Sequence, residues 1–140
     1  MNTSHNRSFL VLMVLAVMLL FFALSSAVCV QAFVRSYKQS EENSRRDSAA
    51  FAAQSMAEAG KAAKGESKKV SDMLSAEETQ NGAVLYYDKN WAKTTAENAV
   101  YTVCGSKGKT DTKHLASYNV SVKDRENNVI FELDTAFQED

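Results

Sequence analysis

The segment FLVLMVLAVMLLFFALSSAVCV, Phe9 to Val30, constrains this chain more than any other. Among its 22 residues only Ser25 and Ser26 are clearly polar. At ~1.5 Å per residue a helix of that length matches a hydrocarbon core of ~30 Å. A backbone in lipid must satisfy its hydrogen bonds internally, so a lone apolar segment of this kind is a helix. Arg7 is the only charged residue before Arg35, which separates a short N-terminal tail (1–8) from a transmembrane helix (9–30).

Two fates are open to that segment. Ser25 and Ala27 are small residues at the spacing of a signal peptidase site, so a secreted domain released near Ala27 is one reading. Val28 precedes Cys29 where a lipoprotein signal would carry a small residue. Signal cores run ~7 to 15 apolar residues. Here the apolar character holds for 22 and continues as QAFVRSY with no helix breaker, which favours retention.

Beyond the span, 31–64 reads as a helical stem. Phe33, Tyr37, Ser40, Ser44, Ser48, Phe51, Ser55, Ala59 and Ala62 recur at steps of three and four, one stripe of a helix. Alanines at 49, 50, 52, 53, 57, 59, 62 and 63 supply helix propensity and permit close backbone approach. This face either packs on the chain's own domain or meets neighbouring copies. Gly60 and Gly65 are the first stops, and KGESKK is the break, giving one helix from about Phe9 to Ala63. A linker (65–82) follows, with a short helix around Ser67 to Glu78 whose apolar face is Val70, Met73 and Leu74.

From Ala83 the period becomes alternating, and 83–140 reads as an antiparallel β head. AVLYYDKNWAK suggests a tight hairpin about DKN that gathers Tyr86, Tyr87 and Trp91. NAVYTVCG is a strand closed by Gly105. In LASYNVSVKD, Ala116, Tyr118, Val120 and Val122 alternate with polar residues. VIFELDTAFQ places Val129, Phe131, Leu133 and Phe137 on one side. The expected class is α+β: about four strands, a core holding Tyr86, Trp91, Tyr118, Val120, Phe131 and Leu133, and a cover formed by the helix around Phe51, Met56 and Ala59. The basic loop Gly105 to His114 reads as a solvated connection.

A net charge of −1 gives no electrostatic reason to expect nucleic acid. Glycine-rich phosphate loops, HExxH, GxSxG and CxxC are missing, and His5 and His114 are not at metal-ligand spacing. Glu77 with Glu78, and Glu139 with Asp140, read as solvated charge. Cys29 and Cys104 do not suggest a disulfide; Cys104 reads as a small buried side chain. No catalytic, cofactor or metal residue is assigned, and an enzyme is not expected.

A hydrophobic N-terminal helix that leaves the membrane as a stem and ends in an antiparallel sheet resembles the type IV pilins and pseudopilins. LMVLAVMLLFFALSSAVCVQAFV and the downstream AQSMAEA are similar to pilin-like membrane proteins of Gram-positive, clostridia-type bacteria over roughly the first 60 residues. YYDKNW, YNVSV and VIFELDTAF extend the similarity more loosely. The resemblance implies an assembly component, minor or initiating, of a type IV pilus or type II secretion-like machine. It implies an extracytoplasmic head, with membrane lipid and other pilin-like or secretion-machine subunits as partners. Ser8 and Phe9 would mark the processing site, and Ala16, Ala23, Ala27, Phe33 and Tyr37 the helix-packing surface. The chain departs from the pattern where pilins carry glycine before the mature terminus and glutamate at its fifth position. Here those places hold Ser8 or Phe9, and Met13 or Val14. Arg35, Lys38, Arg45 and Arg46 follow the span, so the positive-inside rule by itself favours a cytoplasmic head. The rival readings are a tethered binding module that never polymerises and the secreted domain.

Overall fold

A computed structural model describes residues 2–110 and 112–139 of the chain, so Asp140 of the terminal acidic pair lies outside the described residues. Helix α1 runs from Asn2 to Ala62, and α2 from Ser67 to Leu74. Five strands follow: β1 Glu77–Thr79, β2 Gly82–Tyr87, β3 Tyr101–Gly108, β4 Leu115–Asp124 and β5 Val129–Gln138. The chain divides into two compact units, one ending at Asn43 and one beginning at Ser44.

The first unit is helix alone. It contains no proline or glycine, and the residues whose side chains are described are all exposed. The two hydroxyls in the apolar segment are satisfied within the helix: Ser25 Oγ donates to the Phe21 carbonyl at 2.9 Å and Ser26 Oγ to that of Phe22 at 3.0 Å. Such back-bonding leaves no hydroxyl proton needing water.

In the second unit the rest of α1 packs on a purely antiparallel sheet in the order β1-β2-β3-β4-β5. The fold is α+β as expected, with five strands rather than four. The additional strand arises because α2 ends at Leu74, short of the expected Glu78. Ser75 takes a left-handed conformation (φ 52°) and Lys93 Nζ donates to the Leu74 carbonyl at 2.6 Å, which turns the chain out of the helix. Glu77 to Thr79 then pair with Val84 to Gly82 across a Gln80-Asn81 turn.

The helix face against the sheet is Ala49, Ala52, Ala53, Met56 and Ala59, with Ala63 just past the helix end, all buried. Small side chains bring the helix axis close to the strands. Phe51, expected in this cover, lies off that face and is 73% exposed. In α2 the buried positions are Val70 and Ser71, with Leu74 half-buried; Met73 points to solvent at 59% exposure.

The alternation in β4 is realised in full: Ala116, Tyr118, Val120 and Val122 are buried. In β5, Phe131, Leu133 and Phe137 pair with Val122, Val120 and Ala116 on the same face. A bulge between Val122 and Lys123 pairs Val129 with the outward Lys123, so Val129 is exposed and Ile130 packs against the core instead. β3 does not stop at Gly105 but runs on to Gly108. The expected hairpin about DKN is a turn closed by a single Tyr87–Lys93 bridge, followed by a 3-10 turn at Ala96–Asn98, because β2 spends its pairing on β3 and β1.

The tightest packing surrounds Tyr118. A Cβ added at Gly60 would sit 2.4 Å from ring carbons of Tyr118, and one at Gly105 would sit 2.6 Å from its hydroxyl and 2.8 Å from Met56. Gly60 is therefore not a helix stop. It is the notch in α1 that receives a tyrosine ring. The Tyr118 hydroxyl donates to Met56 Sδ at 3.9 Å, and burial pushes its pKa up to about 12.

Two outcomes follow from this packing. Gly60→Ala gains helix propensity of about 1 kcal/mol, but overpacking a fully buried ring costs ~1–3 kcal/mol plus the shift of neighbours. The variant is expected to melt at lower temperature by circular dichroism. Tyr118 keeps its proton in the folded state to higher pH than in the unfolded chain, so its contribution is intact below pH 10 and lost as pH rises through about 12. Urea melts between these values are expected to show declining stability, with a shallower decline in Tyr118→Phe; Tyr86 and Tyr87, also raised, supply the remainder.

Candidate functional site

Two features stand out chemically, one in each unit. The first is the bare apolar helix. α1 carries one segment near the N-terminus that is long and apolar enough to cross a membrane, with a mean hydropathy of 2.8 and no part of it buried within the chain. Ser8 and Phe9 lie in its exposed early turns. Ala16, Ala23 and Ala27, at steps of seven and four, share one helical stripe. Phe33 and Tyr37, four residues apart, are exposed on adjacent turns.

The second feature is an aromatic groove of about 400 Å³ in the sheet-bearing unit. One wall is α1, which contributes Asp47, Ser48, Phe51, Ala52 and Ser55; the other is Tyr87 from β2 and Trp91 from the turn after it. The turn is fixed by Asp88, whose Oδ1 accepts the N–H groups of Asn90 at 2.8 Å and Ala92 at 3.0 Å. Trp91 is thereby held at φ 61°, a left-handed conformation that is rare for a bulky side chain. Stacking offsets part of that strain. The indole lies 4.2 Å from the Tyr101 ring at an interplanar angle of 6°, and 5.8 Å from Tyr87 at 45°. Burial pushes the Tyr87 phenol up.

The residues expected in the head core do not all meet. Tyr118 and Val120 are fully buried, and Phe131, Leu133 and Trp91 are half-buried against them. Tyr86 instead pairs with Thr102 on the opposite face, beyond the core. Partial burial and then the neighbouring Glu77 carboxylate push its phenol up. Cys104 shares that outer face; its thiol is raised by burial and partly lowered by Lys123. Both cysteines are free. In the basic segment Lys107 belongs to β3, where it pairs with Glu139 and lies 5.8 Å above the Phe137 ring, while Lys109, Lys113 and His114 are exposed. Between β4 and β5, Asp124 accepts the Asn128 and Glu126 N–H groups at 2.9 Å. These bonds, chiefly from Asn128, with Arg45 adding its charge, hold the carboxyl low. Among the described residues no three His, Cys, Asp or Glu side chains converge as a metal site.

Sequence reasoning gathered Tyr87 and Trp91 but missed Phe51 and Asp47 as the facing wall. The available signal was Phe51 itself, a large ring among alanines. Comparison with protein-family models, curated proteins and solved structures found no match.

Trp91→Ala removes a half-buried indole and its stack on Tyr101. A loss of about 1–3 kcal/mol is expected in urea unfolding, with the secondary structure before the transition unchanged.

Proposed function

We propose that the chain is a single-pass, pilin-like or pseudopilin-like membrane protein that works by assembly rather than catalysis. Its place is that of a minor or initiating subunit of a type IV pilus or type II secretion-like machine. The observation that supports this reading is one helix with two kinds of surface. Its first part exposes large apolar side chains from Phe9 to Val34, and its last part seats an alanine face on an antiparallel sheet. The bare part requires lipid or other helices around it, and both are what a membrane-held subunit meets. The Ala16, Ala23 and Ala27 stripe offers close approach to a neighbouring helix.

In this reading the sheet-bearing unit is extracytoplasmic, against the bias of Arg35, Lys38, Arg45 and Arg46. Met13 and Val14 stand where a repeated pilin subunit carries an acid, which suits a tip position with no subunit beyond it to neutralise. A second reading, a tethered binding module that does not polymerise, is favoured by the aromatic groove.

Intact mass spectrometry on membrane and secreted fractions of the native host tests the proposal. A membrane-held chain beginning at Met1, Phe9 or Leu10 is the expected result, and a start near Phe9 adds a prepilin-type peptidase. A soluble chain beginning at Val28 overturns it. Leucine at Ala16, Ala23 and Ala27 is expected to reduce self-association or partner association in membranes about tenfold or more, a loss on the scale of 1.4 kcal/mol; unchanged association selects the tethered module.

A further inference from the structure

We propose that the groove between Phe51 and Trp91 receives a basic side chain of a partner polypeptide, with arginine the preferred residue. This goes beyond the assembly reading and does not depend on it. The groove offers two kinds of attraction for a cation. Phe51, Tyr87 and Trp91 present π-systems whose faces are electronegative, and Asp47 places a carboxylate on the same wall as Phe51. Asp47, Phe51 and Ser55 succeed one another at four-residue steps, so acid, ring and hydroxyl line one ridge of α1. The Ser55 hydroxyl already donates to the Phe51 carbonyl at 3.0 Å, and Asp47 is the charged side chain among the described lining residues.

Among the described residues neither of the neighbouring helix cations, Arg45 and Arg46, forms an ion pair with Asp47. Shape narrows the choice further. At about 400 Å³ the groove exceeds a compact ammonium ion and suits a long side chain with adjoining backbone. A guanidinium is planar, stacks on aromatic rings and can fork toward a carboxylate, where an ammonium acts as a point charge. Phe51, 73% exposed, leaves its ring uncovered where it lines the groove.

Trp91 is the single tryptophan of the chain, so tryptophan emission, excited to the red of the tyrosine absorption, reports on this groove. The full chain in maltoside micelles is titrated with acetyl-Gly-Arg-Gly-amide, with the same peptide carrying neutral citrulline, and with choline chloride. The expected result is a saturable change for the arginine peptide with a midpoint on the order of 1 mM, and a midpoint at least about fivefold higher for citrulline. Asp47→Asn and Phe51→Ala alter exposed residues; each is expected to weaken the arginine response about threefold or more while leaving the circular dichroism melt in place. Equal response to citrulline, no saturation by about 50 mM, or both variants titrating as the parent overturns the proposal. Choline saturating below the arginine peptide also overturns it, since the groove then takes a small free cation.

Discussion

The Tyr118 ring, wedged between Gly60 of the helix and Gly105 of the sheet, is the contact on which the folded unit depends. It sets how closely α1 approaches the strands, because at both positions the space of a side chain is occupied by the ring itself. Close approach in turn explains the alanines. Larger residues at 49, 52, 53, 59 and 63 would hold the helix off the sheet and open a gap around the tyrosine. Met56, unbranched and polarisable, fills the remaining irregular space and accepts the phenol's hydrogen bond. A short list of small residues and one ring thus fixes the spacing of both layers.

Much of this was legible in the sequence, and the limits have physical causes. The apolar segment and the alternation in β4 are strong signals because each residue's neighbours repeat the same preference. Gly60 was misleading since a glycine in a helix marks either an end or a close approach, and only the partner ring decides which. The stripe that carries Phe51 with Ser55 and Ala59 points it at the sheet, but the buried face is turned toward Ala49, Ala52, Ala53 and Met56, which leaves Phe51 at its edge. Strict alternation points Val129 inward, but the bulge beside it interrupts the alternation without changing composition. Tyr86 and Tyr87, adjacent in a strand, had to lie on opposite faces; Tyr87 turned inward because it stands opposite Tyr101. The groove was half legible, its aromatic wall from YYDKNW and its helical wall only from the fold.

The two units carry different kinds of surface. From Phe9 to Val34 the helix is apolar on every side, a pattern suited to an apolar surrounding, whereas from Ala49 onward it is sided, with one face committed to the sheet. No proline or glycine interrupts α1 before Gly60, so the change from one regime to the other is made by side chains alone. The polar stretch RSYKQSEENSRRDS, exposed almost throughout, is where that change occurs.

The order of strands along the chain matches their order in the sheet, so every strand pairs with its immediate predecessor. Only the contact between helix and sheet is distant in sequence, with Met56 and Tyr118 separated by 62 positions. In the order of synthesis the helix precedes every strand, so its alanine face stays uncovered until the strands that pack on it have been made. Neighbouring strands are consecutive in the chain, so the sheet's own contacts are comparatively local and the helix contact closes the long loop. Tyr118 lies in the fourth of five strands, so the wedge on which helix and sheet close is among the last parts of the chain to be made.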